Sequence, residues 1–224
     1  MEGAIYPAPG TQMADSQRTT GELARAVEAL LSERTSGEVK VIKLQENENL
    51  VAGYRDASIT ARLPALRHGV FWLAESSAID EYLEDVFPPP QYPRLYPADP
   101  QQRARARMIQ AWVRSDLMPL REERGTNTVF FESERPKVKP LSPAGQATVD
   151  NLLRAARLLV PEGATRLFDT WSMADADLGL MLHRVILNGH EVPAGIRRYA
   201  EAQWQRPSVR EWVDHARPPY VPYR

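Results

Sequence analysis

The chain has 224 residues, of which 43% are hydrophobic and 25% charged, and its formal net charge is -1. This length allows one large domain or two small ones, and the composition is that of a protein with a buried core. The small net charge gives no general attraction to nucleic acids or to acidic membrane surfaces. The absence of cysteine excludes disulfides, thiolate metal sites and a cysteine nucleophile, so thiol chemistry would need a thiol from a ligand.

Targeting and metal-binding patterns are absent from the sequence. No apolar run approaches the roughly 20 residues that span a bilayer. The N-terminus has an acid at Glu2 and no long apolar segment of the kind found in signal peptides. The histidines lack the spacing of metal ligands, and His183, on an apolar helical stretch, is predicted to be a core residue. We therefore expect a cytoplasmic protein without a metal, a nucleic-acid partner or a membrane partner.

The first third of the chain alternates between strand and helix patterns. Short apolar or β-branched runs predict strands, and apolar residues at intervals of three and four predict amphipathic helices. Thr19 or Thr20 is the candidate N-cap of the first helix. The predicted elements are a strand at 4–6, a helix at about 20–34, a strand at 39–44, a less regular polar stretch over 45–60, strands at 63–66 and 70–73, and a helix over 75–86.

A proline-rich segment separates this third from the rest of the chain. Prolines at positions 88, 89, 90, 93, 97 and 100 block helix formation and stiffen the backbone. We therefore predict a first domain over 1–87, a linker over 88–100 and a second domain over 101–224.

The second domain has helical patterns almost throughout. Ser172 and Asp175 have the spacing of a capping box, with an aspartate in the place of the usual glutamate. Pro119 is predicted to kink the first long helix. The predicted helices are at about 100–124, 143–159, 172–187, 194–205 and 207–215, followed by an extended tail.

Four motifs together resemble the glutathione transferase family. Residues 63–66 (LPAL) resemble its V/L-P-x-L segment, and residues 75–83 (ESSAIDEYL) resemble its E-S-x-A-I-x-x-Y-L helix start. Residues 95–100 (LYPADP) resemble the start of its helical domain, and residues 172–175 (SMAD) resemble the buried capping box of that domain. The resemblance covers about residues 38–215. It implies an N-terminal thioredoxin-like α/β domain and an all-α C-terminal domain.

Further stretches are similar to the bacterial YfcF-type branch of this family. They are residues 75–85, 103–107, 110–124 and 203–206. This resemblance implies a glutathione-dependent transferase or peroxidase that works as a homodimer. The branch places a serine followed by a proline at the start of the first helix, whereas an ungapped match places Thr20-Gly21 there.

The resemblance also implies a glutathione site on the first domain. The helix start at Glu75-Ser76 suits the γ-glutamyl carboxylate, because backbone N–H groups and a hydroxyl converge there. The Glu75 carboxylate can bind the amine of glutathione. Leu63-Pro64, joined by a cis bond in this family, places a backbone edge beside the cysteinyl part. The alternatives are ordinary helix capping by Glu75 and Ser76, and an ordinary strand-edge proline at Pro64.

A hydroxyl donor at a helix N-terminus would favour the glutathione thiolate, because it lowers the thiol pKa from about 8.5. The candidates are Thr20, then Thr19, then Ser16. Tyr6 is a further choice, since other branches of the family place a tyrosine at the end of the first strand. The alternative for Thr19 and Thr20 is simple N-capping.

Four arginines lie near one stripe of the predicted long helix, at intervals of 4, 7 and 7 residues: Arg103, Arg107, Arg114 and Arg121. A subset of them can bind the glycyl carboxylate of glutathione or an acidic co-substrate, with Arg114 the favoured member. The alternative is that the stripe pairs with acids on neighbouring helices.

The sequence thus predicts an enzyme that activates the glutathione thiol, for transfer to an apolar electrophile or for peroxide reduction. Two alternatives stay open. One is an interaction protein that keeps this fold with little or no turnover, which the missing serine favours. The other is a specialised pathway lyase or isomerase.

Overall fold

The computed structural model describes residues 3–6, 38–39, 42, 47–214, 216–217, 219–220 and 222, with backbone only at 3–6, 38–39 and 211–212. The chain divides into two compact units, one within Met1–Pro93 and Asp214–Arg224 and the other over Arg94–Val213. The division after Pro93 falls inside the linker predicted at 88–100.

The first unit is built on a four-stranded sheet. The strands are β1 (Gly3–Tyr6), β2 (Glu38–Val39), β3 (Ala65–His68) and β4 (Phe71–Ala74), in the order β2-β1-β3-β4. β1 pairs parallel with β2 and antiparallel with β3, and β3 pairs antiparallel with β4. Gly69 supplies the positive φ of 63° in the β3–β4 turn. This mixed order is that of the predicted thioredoxin-like domain.

Two helices accompany this sheet in the described part of the first unit. They are α1 (Ala52–Ser58), after a 3-10 turn at Glu48–Leu50, and α2 (Ser76–Val86). α2 lies close to its predicted bounds, whereas β3 begins at Ala65, two residues later than predicted. Pro64 has no N–H to donate to a strand ladder, so pairing starts after it. The predicted helix at 20–34 lies outside the described residues.

The core of the first unit gathers side chains from the sheet and α1. Ile42, Tyr54, Leu63 and Ala65 are buried together, and Trp72 packs against them. The Tyr54 hydroxyl donates to the Arg62 carbonyl at 2.8 Å, so the one polar atom of that ring is satisfied.

The second unit is helical. The prediction at 143–159 matches α6, whose N-cap Ser142 accepts from the Gly145 N–H at 3.0 Å. The helices are α3 (Pro100–Ser115), α4 (Met118–Glu123), α5 (Thr126–Phe130), α6 (Pro143–Leu159), α7 (Met173–Ile186), α8 (Ala194–Trp204) and α9 (Pro207–Val213), with a 3-10 turn at Glu132–Lys137. None of the helices in the described part of the chain is long and apolar enough to cross a membrane.

The predicted single helix over 100–124 is wrong. α3 ends at Ser115 and α4 begins at Met118, so the chain turns before Pro119 rather than bending at it. Pro119 lies in the first turn of α4, where its missing N–H leaves no helical hydrogen bond unmade.

The start of α7 has the predicted capping arrangement. The Asp175 carboxylate accepts from the Ser172 N–H at 2.9 Å, from the Leu167 N–H at 2.8 Å and from the Tyr199 hydroxyl at 2.9 Å. Burial raises the pKa of Asp175, and the hydrogen bonds from Ser172 oppose that rise. One buried carboxylate thus ties the start of α7 to the preceding loop and to α8.

His183 is a core residue, as predicted. Its ring is 3% exposed and stacks on Trp204 with 3.8 Å between ring centres. Its Nδ1–H donates to the Gly179 carbonyl at 2.8 Å. Burial lowers the pKa of His183 from its ordinary value of 6.5 to about 4, so the folded protein holds this ring neutral.

We expect His183 to lower the free energy of unfolding at acidic pH. Because the pKa of His183 is depressed in the folded protein, the contribution of the neutral ring to stability is complete above pH 6.5 and is lost as the pH falls toward 4. At 1.36 kcal/mol per pH unit, the loss amounts to about 3 kcal/mol. Urea unfolding at a series of pH values between 7.5 and 4.5 measures this loss of stability. His183→Gln should show a shallower decline, and identical pH profiles for the two proteins would contradict the assignment.

Candidate functional site

The junction between β4 and α2 has an unusual backbone. Glu75 follows the last residue of β4 and has φ 67° and ψ 110°, although it is not glycine. A positive φ costs a residue with a Cβ of the order of 1–3 kcal/mol, and such strain is concentrated at functional sites. The strain at Glu75 therefore marks this junction as a candidate site.

The start of α2 has unused hydrogen-bond donors. Its first intrahelical bond is donated by the Ile79 N–H to the Glu75 carbonyl at 3.0 Å, and no side chain among the described residues caps the earlier N–H groups. The alternative considered for Glu75 and Ser76, that their side chains simply cap the helix, is therefore not what the structure has. N–H groups at a helix start and the positive end of the helix dipole both suit a carboxylate.

Two side chains at this junction also lack a partner among the residues that the structure describes. Ser76 is only 6% exposed. Its hydroxyl makes no hydrogen bond to the residues that the structure describes. Glu75 is exposed, and within the same described ranges its carboxylate forms no ion pair. The junction therefore offers a hydroxyl for an anion and a carboxylate for a cation within two consecutive residues.

The register of the sheet brings the other predicted residues to the same edge. Ala65 pairs with Ala74, so Pro64 comes opposite Glu75. The Leu63-Pro64 bond is cis, as the family resemblance implies, and both residues are buried. Ala65 also pairs with Tyr6 of β1, so the end of β1 reaches this edge too.

The structure does not describe the side chains of the predicted thiol-activating residues. Thr20, Thr19 and Ser16 are not among the described residues, and Tyr6 is described by its backbone alone. The choice among these hydroxyls stays a prediction.

Arg114 belongs to the second unit, where it faces an acid. Its Nη2 lies 3.5 Å from Oδ2 of the buried Asp177, which also accepts from the Gln110 side chain at 2.9 Å. The Tyr96 hydroxyl donates to the Gln110 amide oxygen at 2.9 Å. Burial raises the pKa of Asp177, and Arg114 and Gln110 oppose the rise. This network matches the alternative interpretation, ion pairing between helices, and the glutathione role of Arg114 stays a prediction.

The other arginines of the stripe have structural contacts as well. Arg103 donates to the Pro97 carbonyl at 3.0 Å, Arg107 lies over the Tyr96 ring, and Arg121 donates to the Arg114 carbonyl at 3.3 Å. Sequence reasoning missed Asp177, although a carboxylate within the apolar run of α7 was a usable signal. The strain at Glu75 had no sequence signal, since the residue is not glycine.

Comparison with known proteins agrees with this architecture. A family model described as glutathione S-transferase, C-terminal domain, matches residues 99–217. A glutathione transferase homologue from Burkholderia gl BGR1, crystallised with bound glutathione, is 34% identical, with 96% of this chain and 97% of that chain covered and a TM-score of 0.74. The chain belongs to the glutathione S-transferase family.

Two further relatives carry the name isomerase. Maleylacetoacetate isomerase from Rattus norvegicus is 32% identical over 117 residues, which are 52% of this chain and 50% of that protein. The match thus spans about half the length of this curated relative. The structure of maleyl pyruvate isomerase, a bacterial zeta-class glutathione S-transferase, has 20% identity, 99% and 100% coverage of the two chains and a TM-score of 0.66, which shows the shared fold.

Proposed function

We propose that this protein is an enzyme that binds glutathione at the start of α2 and uses its thiolate on a second, apolar electrophile or to reduce a peroxide. The observation that supports it is the strained junction at Glu75-Ser76, where no described residue caps the helix or engages the Ser76 hydroxyl or the Glu75 carboxylate. The bound glutathione of the Burkholderia homologue supports the choice of ligand.

Three groups of glutathione have proposed partners at this edge of the sheet: the γ-glutamyl carboxylate, the amine and the backbone of the cysteinyl part. The γ-glutamyl carboxylate accepts from the first N–H groups of α2 and from the Ser76 hydroxyl. The Glu75 carboxylate pairs with the glutathione amine. The backbone at Leu63 lies beside the cysteinyl part, which leaves the thiol near the end of β1. Arg114 remains the proposed partner of the glycyl carboxylate.

The thiol is activated by a hydroxyl of the N-terminal region. Thr20 is the first choice, followed by Thr19, Ser16 and Tyr6. A donated hydrogen bond stabilises the thiolate and so raises its fraction near neutral pH, where a thiol with a pKa of about 8.5 is mostly protonated. The enzyme works as a cytoplasmic homodimer.

Thr20→Val tests this step. We expect the variant to lose activity by about tenfold to a hundredfold while its glutathione affinity changes little, because the hydroxyl acts on the thiol and not on the carboxylates. Rates with a generic aryl halide and calorimetric affinities separate the two effects. Thr19→Val tests the second candidate in the same two assays, and a Thr20→Val enzyme as active as wild type would assign the step to another residue.

An isomerase is the second candidate, favoured by the maleylacetoacetate isomerase relative. An isomerisation adds no group to its substrate, so any glutathione that takes part is released unchanged, whereas a transferase consumes one thiol for each turnover. Counting free thiol during turnover of maleylacetoacetate and of an aryl halide therefore separates the two activities.

Calorimetric titration with glutathione tests the proposed function as a whole. Binding in the micromolar to millimolar range, with turnover of one of these substrates, supports the enzyme. Binding without turnover of any of them favours the interaction protein. An absence of binding would overturn the proposed site, and the altered Thr20-Gly21 segment would then be the first place to look for the reason.

A further inference from the structure

The segment before Leu63 is held by two side chains from neighbouring parts of the first unit. The Asn49 Nδ2–H donates to the Ala61 carbonyl at 2.9 Å, and the Tyr54 hydroxyl donates to the Arg62 carbonyl at 2.8 Å. Asn49 belongs to the 3-10 turn before α1 and Tyr54 to α1 itself. The carbonyls of the two residues that precede Leu63 are therefore both held from outside the segment.

The backbone of the same segment is strained. Ile59, which follows α1, has φ 64° and ψ -50°. The Thr60 N–H donates to the Ser58 carbonyl at 2.7 Å, so these three residues form a γ-turn of the rare kind with a positive central φ. A β-branched residue is especially unfavourable in that conformation. Ala61 also has a positive φ, of 52°. Backbone of this kind persists only where its surroundings hold it in place.

The side chains of the turn contribute little to that hold. Ile59 is 85% exposed, so its side chain gains little from burial. The Thr60 hydroxyl oxygen accepts from the Arg62 N–H at 3.3 Å, a contact within the segment itself. The bonds from Asn49 and Tyr54 instead join residues that are 12 and 8 positions apart in the chain. These two bonds thus anchor the strained segment to its neighbours.

Leu63 comes directly after the anchored segment. Its side chain lies in the core of the first unit, together with Tyr54 and Ala65. Within the described part of the chain, its backbone N–H and carbonyl make no hydrogen bond, so the main chain has a donor and an acceptor to offer here. An extended ligand backbone can pair with such an edge in the way that a further strand does. The position of this edge depends on the residues just before it, since they set the direction of the chain.

We propose that Asn49 and Tyr54 are positioning residues for glutathione. By holding the Ala61 and Arg62 carbonyls, they keep the backbone of Leu63 where it can form hydrogen bonds with the cysteinyl part of the ligand. The inference rests on the proposed function, in which Leu63 lies beside that part, and neither side chain needs to touch glutathione. A backbone that is already in place loses less conformational entropy on binding, and this saving raises the affinity.

Calorimetric titration of two variants with glutathione tests the proposal. Tyr54→Phe removes one hydroxyl and keeps the ring that packs edge-on against Trp72. Asn49→Leu keeps the approximate size of the side chain and removes its donor. We expect Tyr54→Phe to raise the glutathione Kd by about threefold, and the double variant to raise it by about tenfold or more, because the Leu63 backbone must then be ordered by the ligand.

A shorter ligand separates positioning from a general loss of the site. Glutamine carries the α-carboxylate and the amine of the γ-glutamyl part but has no cysteinyl part, so it competes for the start of α2 alone. Its inhibition constant, measured by displacement against glutathione, should change by less than about twofold in the double variant. A variant that is merely less stable would lose both ligands equally.

Tyr82→Phe is the matched control. It also removes a tyrosine hydroxyl of the first unit, one that lies 2.7 Å from Nδ1 of His68, and it should leave the glutathione Kd unchanged. Amide hydrogen exchange in the absence of ligand gives a second readout of the anchoring. Residues 60–63 should exchange faster in the double variant and at the wild-type rate in Tyr82→Phe.

Three results would overturn the proposal: a wild-type Kd in the double variant, equal weakening in Tyr82→Phe, or an equal loss of affinity for glutamine and glutathione. Urea unfolding checks that each variant is folded, and Tyr54→Phe alone decides the question if the double variant does not fold. A wild-type protein that binds no glutathione would overturn the proposed function as well. Weakening by Glu75→Ala with Ser76→Ala, but not by the variants at Asn49 and Tyr54, would overturn this inference alone.

Discussion

Replacing Glu75 and Ser76 together by alanine should abolish measurable glutathione binding while the protein stays folded. The double variant removes the carboxylate for the glutathione amine and the hydroxyl for the γ-glutamyl carboxylate. Hydrogen bonds to charged groups contribute about 1.5–3 kcal/mol each, so the combined loss corresponds to at least about a hundredfold in Kd. The first N–H groups of α2 remain, but they bind only one end of the ligand.

Isothermal calorimetry with glutathione measures this effect. Alanine at position 75 keeps a Cβ and therefore leaves the strain of the positive φ as it is, so unfolding should not obscure the result. Asp85→Ala is the control, because it removes an exposed carboxylate from the same helix. Unchanged affinity in the double variant would place the glutathione site elsewhere.

Asp175→Ala should have the largest effect on folding. The substitution leaves the Ser172 and Leu167 N–H groups and the Tyr199 hydroxyl without their acceptor, all inside the helical unit. Each buried donor left unpaired costs about 1–3 kcal/mol. The expected loss is therefore at least about 3 kcal/mol in the free energy of unfolding, a large part of the stability of an ordinary domain.

Urea unfolding and the yield of soluble protein measure this loss. Tyr199→Phe removes a single hydrogen bond to Asp175 and should cost about 1 kcal/mol. Asp116→Ala removes an exposed aspartate at the end of α3 and should cost less than about 0.5 kcal/mol. If Asp175→Ala unfolds at the same urea concentration as Asp116→Ala, the carboxylate does not hold the start of α7 in place.

Local signals were enough to predict much of this fold. The helical pattern predicts a helix at about 143–159, which are the observed bounds of α6. The spacing of three residues between Ser172 and Asp175 predicts the cap at the start of α7. The break between α3 and α4 is not predicted, because proline at the first turn of a new helix and proline within a kinked helix have the same sequence pattern.

The family motifs, the thioredoxin-like and helical parts and the short-range caps can be predicted from the sequence, because each depends on residues close together in the chain. Other features depend on packing and need the three-dimensional structure. They are the register that sets Pro64 opposite Glu75, the strain at Glu75, and the pairing of Arg114 with Asp177 across two helices. The physical reason is that a charge or a hydroxyl is engaged or free only in relation to groups that packing brings near it.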